Sequence, residues 1–258
     1  MLEDHCQEEA DVQVEGLAWI IALLRHDSFE SEERYQENYR SLRARYAGDA
    51  LSDRLRLAAS GSTLREIMKR ACGLTGHSPA VRTSGVGIVT RNAFSADFLP
   101  PEPMRAKLAI DAWFERRLVP AGPNGTIGRA LASYLVFLTI HPLKDGNGRM
   151  ARMLFAADHA QRIANMPRHV LALILLQREQ RQPFHLAAKC ARVGDFQMLA
   201  SCYLEALDMA SRGFGGLLAE LGSNAVDNEG ATSQAPVAME IHRRLGMALA
   251  GPRATSLF

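Results

Sequence analysis

A polar, glycine-rich break between two apolar segments most constrains how this chain can fold. The break is the stretch HPLKDGNGRMAR, from His141 to Arg152. The segment before it, GRALASYLVFLTI, has the length and apolar character of a buried helix, and the segment MARMLFAADHAQRI continues in the same way. Pro142 prevents the first helix from continuing, and glycines let the chain turn before the second. The pattern therefore predicts two buried helices joined by a loop that carries a histidine, an aspartate and two arginines.

The composition is typical of a protein with a sizeable hydrophobic core. Of 258 residues, 47% are hydrophobic and 22% are charged, which suits one large domain or one domain with small appendages. The net charge is +2, well short of the basic footprint of a nucleic-acid binder. No apolar run in the sequence reaches the length of a membrane span. We therefore expect neither a nucleic-acid partner nor a membrane partner.

The N-terminus and the cysteines indicate a cytoplasmic protein. The first residues, MLEDHCQEEADVQVEG, are acidic and have neither the basic nor the apolar region of a signal peptide. The four cysteines are scattered, without a C-x-x-C pair, which favours reduced thiols over a disulfide framework or a zinc site. We expect a cytoplasmic location, with export without a classical signal as the alternative.

The rest of the chain is predicted to be mainly α, with one short β element. Helices are expected over LAWIIALLRHD, residues 28–46, STLREIMKRACGL, EPMRAKLAIDAWFERRLV, 169–180, and 184–210 with a break near Gly194-Asp195. Residues 81–99, VRTSGVGIVTRNAFSADFL, alternate small and β-branched residues and end at two prolines. This texture predicts a β-hairpin or extended flap, and we call residues 81–99 the flap throughout.

The loop between the two helices carries an arrangement suited to binding phosphate. Gly146, Asn147 and Gly148 stand where the second helix begins, so their N–H groups can turn toward one point where the helix N-terminus adds positive charge. Arg149 lies in the first turn and Arg152 three residues later on the same face. Guanidinium groups in these places can clamp a phosphate with paired hydrogen bonds.

Two further residues of the loop supply a metal ligand and a base. Asp145 stands just before the glycines, where a carboxylate beside a polyphosphate is suited to binding Mg²⁺. His141 ends the first helix, and a neutral imidazole there can accept a proton from a hydroxyl. A base, a metal ligand and a phosphate clamp together indicate phosphoryl or nucleotidyl transfer, in which positioning and charge neutralisation provide most of the catalysis.

Three other interpretations fit the residues taken alone. The string GNGRMA fits the G-x-G-x-x-A dinucleotide fingerprint, although no strand precedes it. The stretch can also be a plain helix–loop–helix turn, with His141 as a cap and the arginines as solvated charges. The third interpretation is a metal site made by His141, Asp145 and His159.

The stretch HPLKDGNGRMAR resembles the signature of Fic-domain proteins, H-x-F-x-(D/E)-G-N-(G/K)-R-x-x-R. Leu143 stands where the family usually has Phe, a residue that anchors the loop in the core. The resemblance implies a Fic-type helical bundle with a short β-hairpin flap. It also implies a protein adenylyltransferase, which uses ATP and Mg²⁺ to transfer AMP to a hydroxyl side chain of a target protein. De-AMPylation, phosphorylation, or a catalytically silent binding module are the alternatives.

The resemblance carries roles onto the matching residues. It implies that His141 is the general base and Asp145 the Mg²⁺ ligand. The nucleotide and its phosphates are expected to contact Gly146, Asn147, Gly148, Arg149 and Arg152. Glycine at both loop positions is expected of AMP transfer, since kinase-like members tend to carry Lys in place of the second. The flap is expected to hold the target protein by strand pairing. Phe184-His185 matches the place of a family Tyr-Tyr pair and is expected either to line the nucleobase pocket or to be core.

The resemblance also points to an inhibitory segment. Many Fic proteins carry a helix with (S/T)-x-x-x-E-(G/N), whose glutamate pairs with the second motif arginine. The string DVQVEG resembles it, with Asp11 in place of Ser/Thr and Glu15 as the glutamate. The string ERYQEN, which ends at Glu37-Asn38, is a second near match. Glu15 is otherwise one acid in an acidic terminus, and inhibition by a separate protein is a further alternative.

These observations predict three regions. Residues 1–59 form an N-terminal helical region with the inhibitory helix near 11–24. Residues 60–210 form the Fic core, and residues 211–258 form a flexible linker, GSNAVDNEGATSQAP, with a short C-terminal helix. The expected partner is a protein substrate, and self-association into a homo-oligomer is left open.

Overall fold

The computed structural model describes residues 32–45, 65–66, 69, 80–87, 98–117, 126–158, 166–178, 181–223, 240–241 and 243–244. Within them, the helices are α1 (Glu32–Arg45), α2 (Pro103–Arg117), α3 (Thr126–Ile140), α4 (Asn147–Asp158), α5 (Met166–Arg178), α6 (Arg181–Arg192) and α7 (Gln197–Ser223). The described part is mainly helical, which confirms the predicted fold class. Among these helices, none combines the length and apolar character that crossing a bilayer requires.

The chain divides into two compact units, of which residues 54–161 form one. In this unit α3 packs against both α2 and α4. Phe114, Phe137 and Phe155, one from each helix, are almost completely buried. Trp113 meets Phe114 and Phe137 edge to face, with ring centroids 4.6 and 5.5 Å apart, a favoured aromatic geometry. This aromatic core fixes the two helices that flank the loop from His141 to Gly146.

The other unit combines residues 1–53 with residues 162–258. Here α7 packs along α5 and α6. The apolar run VLALILL of α5, Val170–Leu176, is almost wholly buried, as expected of a helix that is apolar on all sides. The side chains of His169 and Tyr203 join α5 to α7, with 2.8 Å between Nδ1 and the phenolic oxygen. Burial raises the pKa of Tyr203 and lowers that of His169, so both groups are neutral where they share this hydrogen bond.

The first leg of the flap, residues 81–87, pairs with the loop from His141 to Gly146, which we call the motif loop. Val81 forms an antiparallel bridge with Leu143. The N–H of Lys144 donates to the carbonyl of Ala80 at 2.8 Å, and the N–H of Arg82 donates to the carbonyl of Pro142 at 3.1 Å. Residues 88–97, the centre of the flap, lie outside the described residues, and the hairpin itself stays a prediction.

The last long helix, α7, differs from the sequence-based prediction at its C-terminal end. The break near Gly194 is confirmed, since Gly194 takes a φ of 98° between α6 and α7. However, α7 continues to Ser223 instead of ending near residue 210. Its glycines have a weak helix propensity, but Phe214 is buried in the unit, and such packing outweighs propensity. The predicted linker of residues 211–258 therefore begins with helical residues.

Asp195 is expected to act as the N-terminal cap of α7. Its Oδ1 accepts a hydrogen bond from the N–H of Gln197 at 3.0 Å, which satisfies one of the helix donors that lack an intrahelical acceptor. Asp195→Ala should lower the free energy of unfolding in urea by about 1 kcal/mol. Asp208→Ala is the control, because it removes an exposed ion pair with Arg212 on the same helix, worth less than about 0.5 kcal/mol. Equal losses in both variants would contradict the capping role.

Candidate active site

Asn147 closes the motif loop from inside. Its side chain is 3% exposed. The amide oxygen accepts a hydrogen bond from the N–H of Leu143 at 2.9 Å, and the amide nitrogen donates to the carbonyl of the same residue at 2.8 Å. An amide side chain is suited to this role because it offers a donor and an acceptor together. Asn147 thereby folds the four-residue step from Leu143 into a rigid turn at the start of α4.

Leu143 anchors the loop in the core, in the place where a Phe is usual. The side chain is fully buried, and its backbone is held on both sides, by Asn147 and by the bridge to Val81. Leu143 therefore occupies the anchor position in the core with a smaller side chain.

Gly146 brings the N-terminus of α4 toward the surface of the loop. Its φ is 78°, in the left-handed region where glycine is not hindered by a Cβ. Its carbonyl accepts the first described helical bond, from the N–H of Met150 at 2.9 Å. The N–H groups of the first turn point out of the helix end, because they precede the intrahelical ladder. This end is a ready anion site with partial positive charge.

Asp145 lies at this helix end and contacts two of the expected phosphate-binding groups. Its Oδ1 accepts from the N–H of Gly146 at 2.7 Å, and its Oδ2 pairs with Arg149 at 3.1 Å. The Asp145 side chain is 81% exposed and that of Arg149 19%. The carboxylate thus shows that these donors converge on an anion, and its exposed outer side leaves room for a cation such as Mg²⁺.

Arg152 lies deeper, against the first turn of α4. Its side chain is 6% exposed. A Cβ built on Gly148 would come within 3.3 Å of its Nη1, so the guanidinium rests against the glycine backbone. Residues with a side chain at position 148 would have to shift this group. The two glycines therefore have different roles: one provides the turn and the other the space.

His141 is held in an unusual backbone conformation at the end of α3. Among the described residues, His141 is the non-glycine residue with a positive φ, which is 49°. Its N–H still donates to the carbonyl of Phe137 at 2.9 Å, and its Nδ1 lies 3.4 Å from the carbonyl of Leu138. A carbonyl only accepts, so this contact is a hydrogen bond when Nδ1 carries the proton. In the neutral ring, the lone pair is then on Nε2.

The surroundings favour the neutral form of His141. Burial lowers the pKa of the imidazole, the bond to Leu138 raises it by a smaller amount, and the charge of Arg82 lowers it again. The result is a pKa below the ordinary value of 6.5, so the ring is mostly neutral at pH 7. The side chain therefore has the protonation state that a general base needs.

Arg82 is a residue of the site that the sequence analysis missed. It is 3% exposed and donates to the carbonyl of His141 at 2.7 Å. It lies in the flap, 59 positions before the histidine, in the stretch AVRTSG. A charged residue inside a segment of small and β-branched residues was the one available hint.

The other sequence-predicted positions stay predictions. Glu15 and His159, which carry the inhibitory contact and the third metal ligand, lie outside the described residues. Glu37 is exposed on α1. Phe184 is buried on α6 beside His185, in the unit that does not contain the motif. Within the described ranges, no cluster of three or more histidine, cysteine or acidic residues could hold a metal by itself.

The arrangement defines a class of site: an anion-binding helix N-terminus with two arginines, preceded by a neutral histidine. Residues 60–157 match the model of the Fic/DOC family, and this range falls inside the compact unit of residues 54–161. The match supports assignment of this part of the chain to the Fic/DOC family and confirms the resemblance inferred from HPLKDGNGRMAR. None of the curated proteins matches the chain.

Replacement of Asn147 tests how much of the loop depends on its amide. Asn147→Ala leaves the buried N–H and carbonyl of Leu143 without their partners, and each such group costs about 1–3 kcal/mol. We expect a loss of this order in the free energy of unfolding in urea, together with faster amide exchange at Leu143. Ser211→Ala is the control, since it removes one side-chain hydrogen bond to the carbonyl of Leu207 in α7 without orphaning a buried donor. A loss no larger than that of the control would refute the closing role.

Proposed function

We propose that this protein is an adenylyltransferase that transfers AMP from ATP to a hydroxyl side chain of a target protein. The observation that supports it most is that a neutral His141 and the N-terminus of α4 belong to the same loop of one compact unit. A base next to an anion-binding helix end is suited to attack of a hydroxyl on a phosphate. The Fic/DOC family domain agrees with this class of chemistry.

His141 would receive the proton of the target hydroxyl. The hydroxyl oxygen forms a bond to the α-phosphorus, the bond from that phosphorus to the bridging oxygen breaks, and pyrophosphate leaves. The Nδ1 contact with Leu138 orients the ring and leaves Nε2 to take the proton. Burial keeps the ring neutral until that step, because it lowers the imidazole pKa.

The first turn of α4 would hold the phosphates. Gly146 and Arg149 contact the carboxylate of Asp145, so both donors reach one anion and could bind a phosphate that takes the place of that carboxylate. Arg152 lies against Gly148 in the same turn, where it can neutralise charge on a second phosphate. Preorganised donors of this kind need no rearrangement when charge develops on the leaving group.

Asp145 would hold Mg²⁺ on its exposed side. Magnesium usually takes one or two carboxylates together with phosphate oxygens and water, so it needs no cluster of protein ligands. The carboxylate is exposed and stands at the helix end to which the phosphates are assigned, which fits such a cation. When bound, the ion would neutralise phosphate charge and orient the leaving group.

A protein segment paired with the flap would supply the hydroxyl. The first leg runs alongside the motif loop through Val81 and Leu143, so a strand added to the flap would lie near His141. Residues 83–85 of this leg are exposed, and strand addition depends mainly on main-chain hydrogen bonds. The proposed partner is therefore a protein presented in an extended conformation.

The central test uses ATP labelled at either the α- or the γ-phosphate. Incubation of the full chain with a native lysate should place the α label, and not the γ label, on protein. His141→Ala should lower this transfer by about 10²–10⁴-fold while ATP binding stays near that of the unchanged protein, since the ring acts on the hydroxyl. Lys144→Ala, an exposed neighbour in the same loop, is the matched control and should keep its activity.

The same experiment separates the alternatives. Protein that carries the γ label would indicate phosphorylation instead of AMP transfer. Loss of AMP from a modified protein would indicate the reverse reaction. Neither label and no release would indicate a silent binding module. Full transfer by His141→Ala would reject the assignment of the base.

Asp145→Asn tests the metal assignment. The amide keeps the size of the side chain and an oxygen for the N–H of Gly146, but it loses the charge that attracts Mg²⁺. Calorimetry should show that Mg²⁺ strengthens ATP binding to the unchanged protein and has little effect on the variant. Asp111→Asn, an exposed aspartate on α2, should behave like the unchanged protein. ATP affinity that ignores Mg²⁺ in all three proteins would remove Asp145 from the metal site.

A further inference from the structure

We infer that Arg82 is a positioning residue for the base: its guanidinium holds the backbone of His141 in place and ties it to the first leg of the flap and to the residues just after the flap. The inference rests on the proposed function, because it concerns the same histidine. It does not concern contact with the substrate, so Arg82 is not a catalytic residue. Its effect would pass through the position of the imidazole.

The guanidinium donates to four backbone carbonyls. Nε donates to His141 at 2.7 Å, Nη1 to Ser84 at 3.2 Å, and Nη2 to Pro101 and, at 3.4 Å, to Ile140. The side chain is 3% exposed, so these bonds form away from bulk solvent. Arginine suits this place because it has five N–H donors in a fixed planar fork, whereas lysine has one compact charged group.

Two of these carbonyls belong to the end of α3. The last carbonyls of a helix have no intrahelical donor, and a cation at this end also interacts favourably with the helix dipole. Arg82 supplies both to Ile140 and His141. The position that follows a helix end in the left-handed region usually carries glycine, but here it carries His141 with a φ of 49°. Such a conformation persists only where the surroundings enforce it.

The other two carbonyls belong to the flap and to the residues that follow it. Ser84 lies in the first leg, and Pro101 lies two residues after the flap ends. The backbone of Arg82 also joins the loop, through its N–H bond to Pro142 at 3.1 Å. One side chain therefore fixes the distance between the segment proposed to hold the target and the residue proposed to accept its proton.

A positioning role differs measurably from a merely stabilising one. Misplacement of a reacting group by about 1 Å can lower the rate by about 10²-fold without loss of binding. The guanidinium of Arg82 binds carbonyls at the end of α3, in the flap and just after it, so we expect ATP affinity to be unaffected. A stabilising role alone would lower stability and leave the kcat of the folded protein unchanged.

The test compares Arg82→Lys and Arg82→Met with Arg129→Lys and Arg129→Met. Arg129 is a matched control in the same compact unit: its Nη2 donates to the carbonyl of Arg116, in the last turn of α2, at 2.6 Å. We expect both Arg82 variants to lose about 10–100-fold in kcat for AMP transfer, with Mg²⁺–ATP affinity by calorimetry unchanged. Both Arg129 variants should keep kcat. The inference would be overturned if, at both Arg82 and Arg129, the loss in kcat is explained in the same way by the loss in the free energy of unfolding in urea.

A second readout does not require any transfer activity. NMR of the full chain labelled with ¹³C-histidine follows the ring of His141, whose signal is identified by its absence in His141→Ala. Arg82 is the charged group that lowers the imidazole pKa after burial, and Glu102 faces Arg82 in turn. Arg82→Met should therefore raise the pKa of His141 toward its ordinary value, whereas Arg82→Lys should leave it nearly unchanged. The ring signal should move in both variants, because neither side chain can hold four carbonyls.

These outcomes distinguish failure of this inference from failure of the proposed function. If the unchanged protein transfers no label, the ring signal still decides, and a His141 signal that is identical in all Arg82 variants would refute the positioning role. If Arg82→Met does not fold, Arg82→Lys gives the answer through kcat and the same signal. A kcat within two-fold of the unchanged protein for Arg82→Lys, with a folded chain, would also overturn it. A fall in ATP affinity together with kcat would show that Arg82 acts on the phosphate site instead.

Discussion

The double hydrogen bond between Asn147 and the backbone of Leu143 is the interaction on which the site depends. It is buried, and it turns the chain between two helices, α3 and α4, that are joined by the contact of the Tyr134 and Phe155 rings. The turn directs the end of α3 and the start of α4 to the same place. One helix end offers carbonyls and the other offers N–H groups, so opposite partial charges meet within one loop. Arg82 serves the first end and Asp145 the second.

Charge and burial differ among the loop residues, and these differences suit them to different roles. Burial lowers the pKa of His141 and keeps its ring uncharged beside Arg82, whereas Arg149 and Arg152 present cations to the first turn of α4. The proposed base and the proposed phosphate site can lie close together, because a neutral imidazole adds no charge to the site until it takes a proton. His141 and Gly146, at the two ends of the motif loop, both have a left-handed backbone conformation. The histidine conformation needs support from its surroundings, while the glycine conformation does not.

Local patterns in the sequence predicted much of this architecture. The long apolar runs predicted α3 and α5, the resemblance of HPLKDGNGRMAR to a known signature indicated the family, and Gly194 marked the break before α7. These features depend on neighbours along the chain. The role of Arg82 depends on carbonyls up to 59 residues away, and no local pattern encodes such a contact. The sequence also underestimates the length of α7. The weak helix propensity of glycine is a property of the local sequence, whereas the burial of Phe214 depends on packing against other parts of the fold. Glu15 and the centre of the flap lie outside the described residues and stay predictions.

The contact of Asp145 with Gly146 and Arg149 has a consequence for selectivity. An anion that enters the loop competes with a carboxylate that is already bound to the same donors. A phosphate that arrives alone must displace it or lie beside it, and the like charges repel. A phosphate that arrives with a divalent cation meets a different balance, since the cation can take the displaced carboxylate as a ligand while the donors turn to the phosphate. The resting ion pair would thus act as a filter, which favours a nucleotide that carries its own counter-ion over the same nucleotide without one.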